Sequence, residues 1–181
     1  FQKEQAAIYH FSLFRFVYMP NLLRIKNGDD GAFKYTQIQE ICLPRLTQCG
    51  SMAFFNCKTL VSVDLPLCET VGELSFYNCY NLEELRLPSA KTFGVEAFLC
   101  CHNLKRLLIP SALEIGPNLV QYCDSLNEIE CKLPSNKFKC GGDCQNEKRC
   151  PVCRGDLLEC FRRAKSRQLL SGLKEVYEQQ Y

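Results

Sequence analysis

Apolar and polar positions along this chain follow a fixed step. Leu60, Val63 and Leu65 are matched by Leu82, Leu85 and Leu87, by Leu104, Leu107 and Ile109, and by Leu126, Ile129 and Cys131. Polar residues fill most of the positions between them. Each set ends in alternation, the pattern of a short strand with one face buried. Prolines punctuate the series: Pro20, Pro44, Pro66, Pro88, Pro110 and Pro134 each follow Met, Leu or Ile, at spacings of 24, 22, 22, 22 and 24. A proline there stops the strand from extending and turns the chain.

The other half of the unit keeps the same step. Gly50, Gly72, Gly94 and Gly116 form one column, Phe54, Phe76, Phe98 and Val120 a second, and Cys57, Cys79, Cys101 and Cys123 a third. The glycines predict a turn with positive φ or a close approach of backbones. A looser copy runs from Phe14 through Pro20, Ile25, Ala32-Phe33 and Ile38, with two residues inserted near Gly28–Gly31. One such unit cannot bury its own apolar face, and stacking on its neighbours does so; the tandem period therefore predicts a solenoid.

Residues Leu82 to Cys101, LEELRLPSAKTFGVEAFLCC, carry the pattern L-x-x-L-x-L-P…G-x-x-A-F-x-x-C in full. With that pattern the chain resembles the BspA-like class of leucine-rich repeats over residues 14–134. The resemblance implies an α/β-type curved, right-handed coil: short parallel strands on a concave face, and short helical or 3-10 returns with Phe and Cys pointing inward. It also implies a role in adhesion or protein interaction, as in bacteria and protists. Family membership constrains architecture more than function.

Both ends depart from the repeat. Residues 1–13 are expected to form an N-terminal cap or the remnant of a further repeat. Residues 135–155 hold a cysteine-rich loop, KCGGDCQNEKRCPVCRGD, and residues 156–181 a C-terminal helix. Asp156 followed by Glu159 has capping-box spacing, and Leu157, Phe161, Ala164, Leu169, Leu173 and Val176 recur at helical intervals. That face should pack on the last repeat as a cap.

Charge narrows the function classes. With 22 Lys+Arg against 20 Asp+Glu the net charge is only +2, so no basic footprint for nucleic acid is present. No apolar run reaches the ~20 residues that span a bilayer. The segment from Ile8 to Met19 is broken by His10, Ser12 and Arg15, and it suits a core better than a signal peptide. Because the chain opens on Phe1 and not on Met, a targeting signal outside these residues is compatible with the sequence.

The 14 cysteines fall into two populations. Those of the repeat column, with Cys49 and Cys131, sit at inward positions where Cys acts as a small buried hydrophobe. This favours free thiols and a cytoplasmic protein. Neighbouring rungs are nevertheless close enough to form disulfides, which would suit a cell-surface adhesin. Cys140, Cys144, Cys150 and Cys153 lie off the repeat, in a C-x3-C-x5-C-x2-C spacing, and four thiolates are what a structural zinc prefers. The Cys-Pro-Val-Cys-Arg turn resembles a zinc knuckle and also the closing segment of a RING finger. A RING requires a second metal site, and no first C-x-x-C pair or nearby His supplies one; a degenerate ubiquitin-ligase-like terminus is the alternative. Disulfides are the other alternative for this loop.

Catalytic signatures are absent: no G-x-x-x-x-G-K, H-E-x-x-H or G-x-S-x-G occurs. Only His10 and His102 are present, and His102 takes the variable slot of Lys58, Tyr80 and Asp124. The chain is therefore expected to bind rather than catalyse. Its protein partner, within a larger assembly, would meet the outward strand columns, where Glu40, Asp64, Glu84, Arg86, Arg106, Leu108, Glu128 and Glu130 are the candidate contacts.

Overall fold

The computed structural model describes residues 14–27, 31–140, 150–163 and 165–166. The expected N-terminal cap, Cys144 and the distal part of the C-terminal helix lie outside the described residues. Each coil opens with a strand at the apolar set: β1 (Phe16–Tyr18), β2 (Glu40–Cys42), β4 (Ser62–Asp64), β6 (Glu84–Arg86), β8 (Arg106–Ile109) and β10 (Glu128–Cys131). Past the proline a second, two-residue strand follows: β3 (Gln48–Cys49), β5 (Thr70–Val71), β7 (Thr92–Phe93) and β9 (Glu114–Ile115). All pairings are parallel, and equivalent repeat positions lie opposite one another, as in Glu40 with Ser62, Thr70 with Thr92 and Leu85 with Leu107. The chain is a parallel β-solenoid closed by one C-terminal helix.

The return half uses the i→i+3 hydrogen bonds of a 3-10 turn without becoming a helix. Phe55 N–H donates to Met52 O at 3.1 Å and Cys57 N–H to Phe54 O at 3.2 Å, within the coil. The alternate amides donate to the next coil instead: Phe54 to Ser75 O at 2.7 Å and Asn56 to Tyr77 O at 2.8 Å. Positive φ at Met52, Asn56, Leu74, Asn78, Glu96, Cys100, Asn118 and Tyr122 reverses the chain at each of these turns. The return is thus a run of β-turns stitched rung to rung, so that inter-coil hydrogen bonding continues around all sides of the coil.

Left-handed backbone therefore belongs to non-glycine columns, while the glycines answer the other half of the expectation. Gly72 and Gly94 have no positive φ. A Cβ at Gly94 would land on the backbone nitrogen of Glu73 in the preceding coil, and one at Gly72 on that of Ser51. Glycine is required because adjacent coils touch there through main chain alone.

Inside the coil the repeat columns become stacks. Phe33, Phe54, Phe76 and Phe98 lie ring on ring with centroids 5.2, 5.0 and 5.7 Å apart, and Val120 continues the column, buried. Each such aromatic pair contributes about 0.5–1.5 kcal/mol beyond its burial. Cysteine in the neighbouring column is more than a small hydrophobe. Its thiol donates to the Phe carbonyl of the preceding coil: Cys57 to Phe33 O at 2.9 Å, Cys79 to Phe54 O at 3.3 Å, Cys101 to Phe76 O at 3.0 Å and Cys123 to Phe98 O at 3.2 Å.

Beyond β10 a 3-10 turn spans Ser135–Lys137, and helix occupies residues 157–163 and 165–166. Leu157 and Cys160 are buried in the common core, and the Phe161 ring meets Phe138 edge-on at 5.4 Å. The carboxylates with capping-box spacing engage arginines, Asp156 with Arg154 at 2.8 Å and Glu159 with Arg163 at 3.6 Å.

Gly94→Ala is expected to lower the unfolding free energy by about 3 kcal/mol, because the clash is with backbone and cannot be relieved by a rotamer change. Urea denaturation would measure it. A loss below 1 kcal/mol would mean that the coils are not in main-chain contact there.

Candidate partner-binding face and metal centre

Along the strand face the outward columns align by register. One runs Phe16, Glu40, Ser62, Glu84, Arg106, Glu128; the other runs Tyr18, Cys42, Asp64, Arg86, Leu108, Glu130. Six of the eight candidate contacts keep some exposure. Leu108 and Glu128 do not: they are 5% and 3% exposed, so the C-terminal end of the face is closed where an open surface was expected. Glu128 turns its carboxylate to Arg106, whose Nε lies 3.2 Å away. At the opposite end Phe16 and Tyr18, both 56% exposed, extend the columns with aromatic side chains. Extending the proline register from Pro44 to Pro20 would have found them.

The two central arginines are not equivalent. Arg106 is held on both sides, by Glu84 at 2.6 Å and Glu128 at 3.2 Å. Beside it Lys105 pairs with Glu83 at 2.8 Å. Arg86 is exposed and has no ion-pair partner among the described residues. It also borders a discontinuity. Elsewhere on this face the residues leading into each strand donate to the coil before, as Val61 and Ser62 do to Gln39 O and Lys105 and Arg106 to Glu83 O. Between β4 and β6 no such bond forms, and the strand face divides into two three-stranded sheets, while the sheet of β3, β5, β7 and β9 runs on unbroken. An open cleft of about 310 Å³ results, lined by Val61, Ser62, Val63, Glu83, Glu84 and Arg86. Val63 is only half-buried here, whereas its counterparts Ile41, Leu85, Leu107 and Ile129 are fully buried.

His102 is part of a row rather than a lone exposed side chain. Its Nδ1 lies 3.0 Å from Asp124 Oδ2, its ring packs 5.6 Å from Tyr80, and it is one-quarter exposed. The neighbouring Cys101 is no nucleophile for it. Burial pushes that thiol up to about 12, the reverse of what an activated cysteine needs.

Three of the four candidate metal ligands converge. The sulfurs of Cys140, Cys150 and Cys153 all lie within 4.8 Å of one another. A tetrahedral zinc with bonds of about 2.3 Å holds its sulfurs roughly 3.8 Å apart, so the donor set fits this metal. Cys140 arrives at the end of the last coil, where Lys139 O accepts the Asn118 amide at 2.9 Å. Cys150 and Cys153 are carried by a tight turn, in which Arg154 N–H donates to Cys150 O at 2.9 Å and Gly155 to Val152 O at 3.2 Å. Gly155, at φ 78°, supplies the left-handed residue that ends the turn. Among the described residues no second group of this kind accompanies it, and a RING-type cross-brace would require one.

Comparison with known proteins follows the same architecture. Six copies of the BspA type leucine rich repeat region match residues 26–144, and the chain belongs to this family. Among solved structures it is similar to a leucine-rich repeat protein of T. pallidum, with 22% identity, TM-score 0.59, and coverage of 67% of this chain and 60% of that one. A leucine-rich repeat protein from Bacteroides ovatus shows 28% identity and TM-score 0.57, covering 67% of this chain and 34% of its own. A leucine rich cell surface protein from Faecalibacterium prausnitzii shows 22% identity and TM-score 0.57, covering 69% and 35%. The chain thus spans between about one third and three fifths of these proteins. No curated protein matches it. No helix among the described residues is long and apolar enough to cross a membrane.

The buried thiols set a pH dependence. Burial raises Cys57 and Cys68 to about 11 and Cys101 to about 12, from an ordinary value of 9.0. Below pH 9 both folded and unfolded chains hold these protons. Above it the unfolded chain releases them first, so stability is expected to fall as pH rises from about 9 to about 12. Thermal unfolding of the reduced chain between pH 7 and 10.5 checks this, and a melting temperature that stays flat to pH 10.5 would contradict the burial of the column.

Proposed function

We propose that this chain is a protein-interaction module, a scaffold or assembly component that meets its partner with the strand face. The observation that carries this reading is Arg86, a cation left uncompensated at the centre of the face, beside exposed Val61 and an interrupted ladder. Arg106 is neutralised by two glutamates and contributes to the fold instead. Glu84 lines the cleft, Asp64 and Glu40 lie on the strands to one side of it and Glu130 two strands to the other, and Phe16 and Tyr18 offer the aromatic anchors that dominate many interfaces.

Peptides selected on the wild-type chain from a random display library test it. Arg86→Glu is expected to weaken their binding at least tenfold and leave the melting temperature unchanged. Arg106→Glu is expected to cost about 2 kcal/mol of stability, since it sets a third carboxylate between Glu84 and the nearly buried Glu128. Unchanged affinity in both variants would argue against the strand face.

Two finer readings accompany the proposal. Cys140, Cys150 and Cys153, with Cys144 from outside the described residues, are the ligands of one structural zinc. The compartment is the cytoplasm, where buried repeat thiols persist reduced. The similarity to a leucine rich cell surface protein supports the surface alternative. Native mass spectrometry of protein purified without reductant or chelator separates them: one zinc with free repeat thiols fits the first, and several disulfides without metal fit the second.

A further inference from the structure

The described part of the cap meets the repeats through Leu157, Cys160 and Phe161. Its helix is described over residues 157–163 and 165–166. Among its described residues only Leu157 and Cys160 are buried, with Phe161 partly so, while Leu158 is 58% exposed. Two hydrogen bonds from the described part of the cap reach back to the repeats, Cys160 Sγ to Leu126 O at 3.4 Å and Arg154 Nη2 to Asp124 O at 3.3 Å. The cap covers Leu126 and Phe138 at the open end of the apolar column. Ordering the turn and helix costs about 1–2 kcal/mol of backbone entropy per residue, a cost that a metal link to the coil would help to offset.

The cysteine cluster stands where a fastening is needed. Cys140 belongs to the end of the last coil, whereas Cys150 and Cys153 belong to the turn that launches the helix at residue 157. A metal bound to all three ties cap to coil across the loop between them. We propose that the bound zinc is a clamp whose occupancy decides whether the C-terminal helix is docked and the end of the solenoid closed. This rests on the zinc reading above and goes beyond it, because a zinc could equally order only its own loop. Cys160 is not a ligand: its thiol is directed at Leu126 O, which makes it an internal control.

The test uses the full chain with Zn²⁺ as the probe. Metal content is measured by native mass spectrometry, and amide hydrogen exchange is followed in peptides covering residues 150–166 and 126–138, with zinc and after removal by a chelator. One zinc per chain is expected, with exchange in 157–163 at least tenfold faster after its removal, while amides of β5 and β7 stay protected. Cys153→Ser, at an exposed position, should reproduce the metal-free pattern in the presence of zinc; Cys160→Ser should retain the metal. Zinc that binds without changing exchange over 157–163 overturns the clamp and leaves the metal site standing. Failure to bind zinc overturns both. If protection collapses equally in β5 and β7, zinc supports the whole fold and the clamp is likewise overturned.

Discussion

The structure depends on one constraint: each coil must hydrogen-bond to the next with its main chain, in the second sheet, through the turns of the return and, except between β4 and β6, on the strand face. Parallel rungs lie about 4.8 Å apart, and at that spacing equivalent residues of successive coils are forced into the same surroundings. A column can then hold only what fits against a copy of itself. Phenylalanine fits as a ring on a ring, glycine as backbone on backbone, and cysteine as a thiol on the carbonyl one coil below. Columns in the sequence are the imprint of that stacking, which is why a single repeat cannot be varied freely without a cost to its neighbours.

Outward positions escape the constraint. Nothing obliges Glu84, Arg106 and Glu128 to be charged, yet in that order they form a ladder of alternating sign across neighbouring strands. Arg86 breaks that pattern in the other column, at the one place where the strand ladder is interrupted. No insertion in the repeat step accounts for the interruption, since Pro66 and Pro88 keep the regular spacing. The face therefore combines a self-satisfied half around Arg106 with a less satisfied half around Arg86, which is the arrangement an interaction surface needs beside a stable scaffold.

Solenoids also need ends, because the stacking that buries each coil leaves the last one uncovered. Here the described part of the terminal helix meets the core through Leu157, Cys160 and Phe161, and the cysteine cluster lies between it and the last coil. A stable stack with a separately fastened end can lose the fastening without losing the stack.

The sequence by itself determined the solenoid, its step, its inward columns and its cysteine-rich end, because a repeat that must match itself leaves a periodic trace in residue type. It also drew together Cys140, Cys150 and Cys153, since close spacing along the chain limits how far apart they can fold. Only the tertiary structure decided the rest. The second strand of each coil is two residues long, too short for any periodicity to announce. The choice between positive φ and close approach at the glycine column fell to close approach because the preceding coil's backbone occupies the space a Cβ would take. Leu108 and Glu128 were outward by register yet are buried, and Arg86 and Arg106 were alike in sequence yet differ in partners. Exposure and ion pairing depend on which side chains and coils lie alongside, and that is a property of the assembled stack rather than of any one repeat.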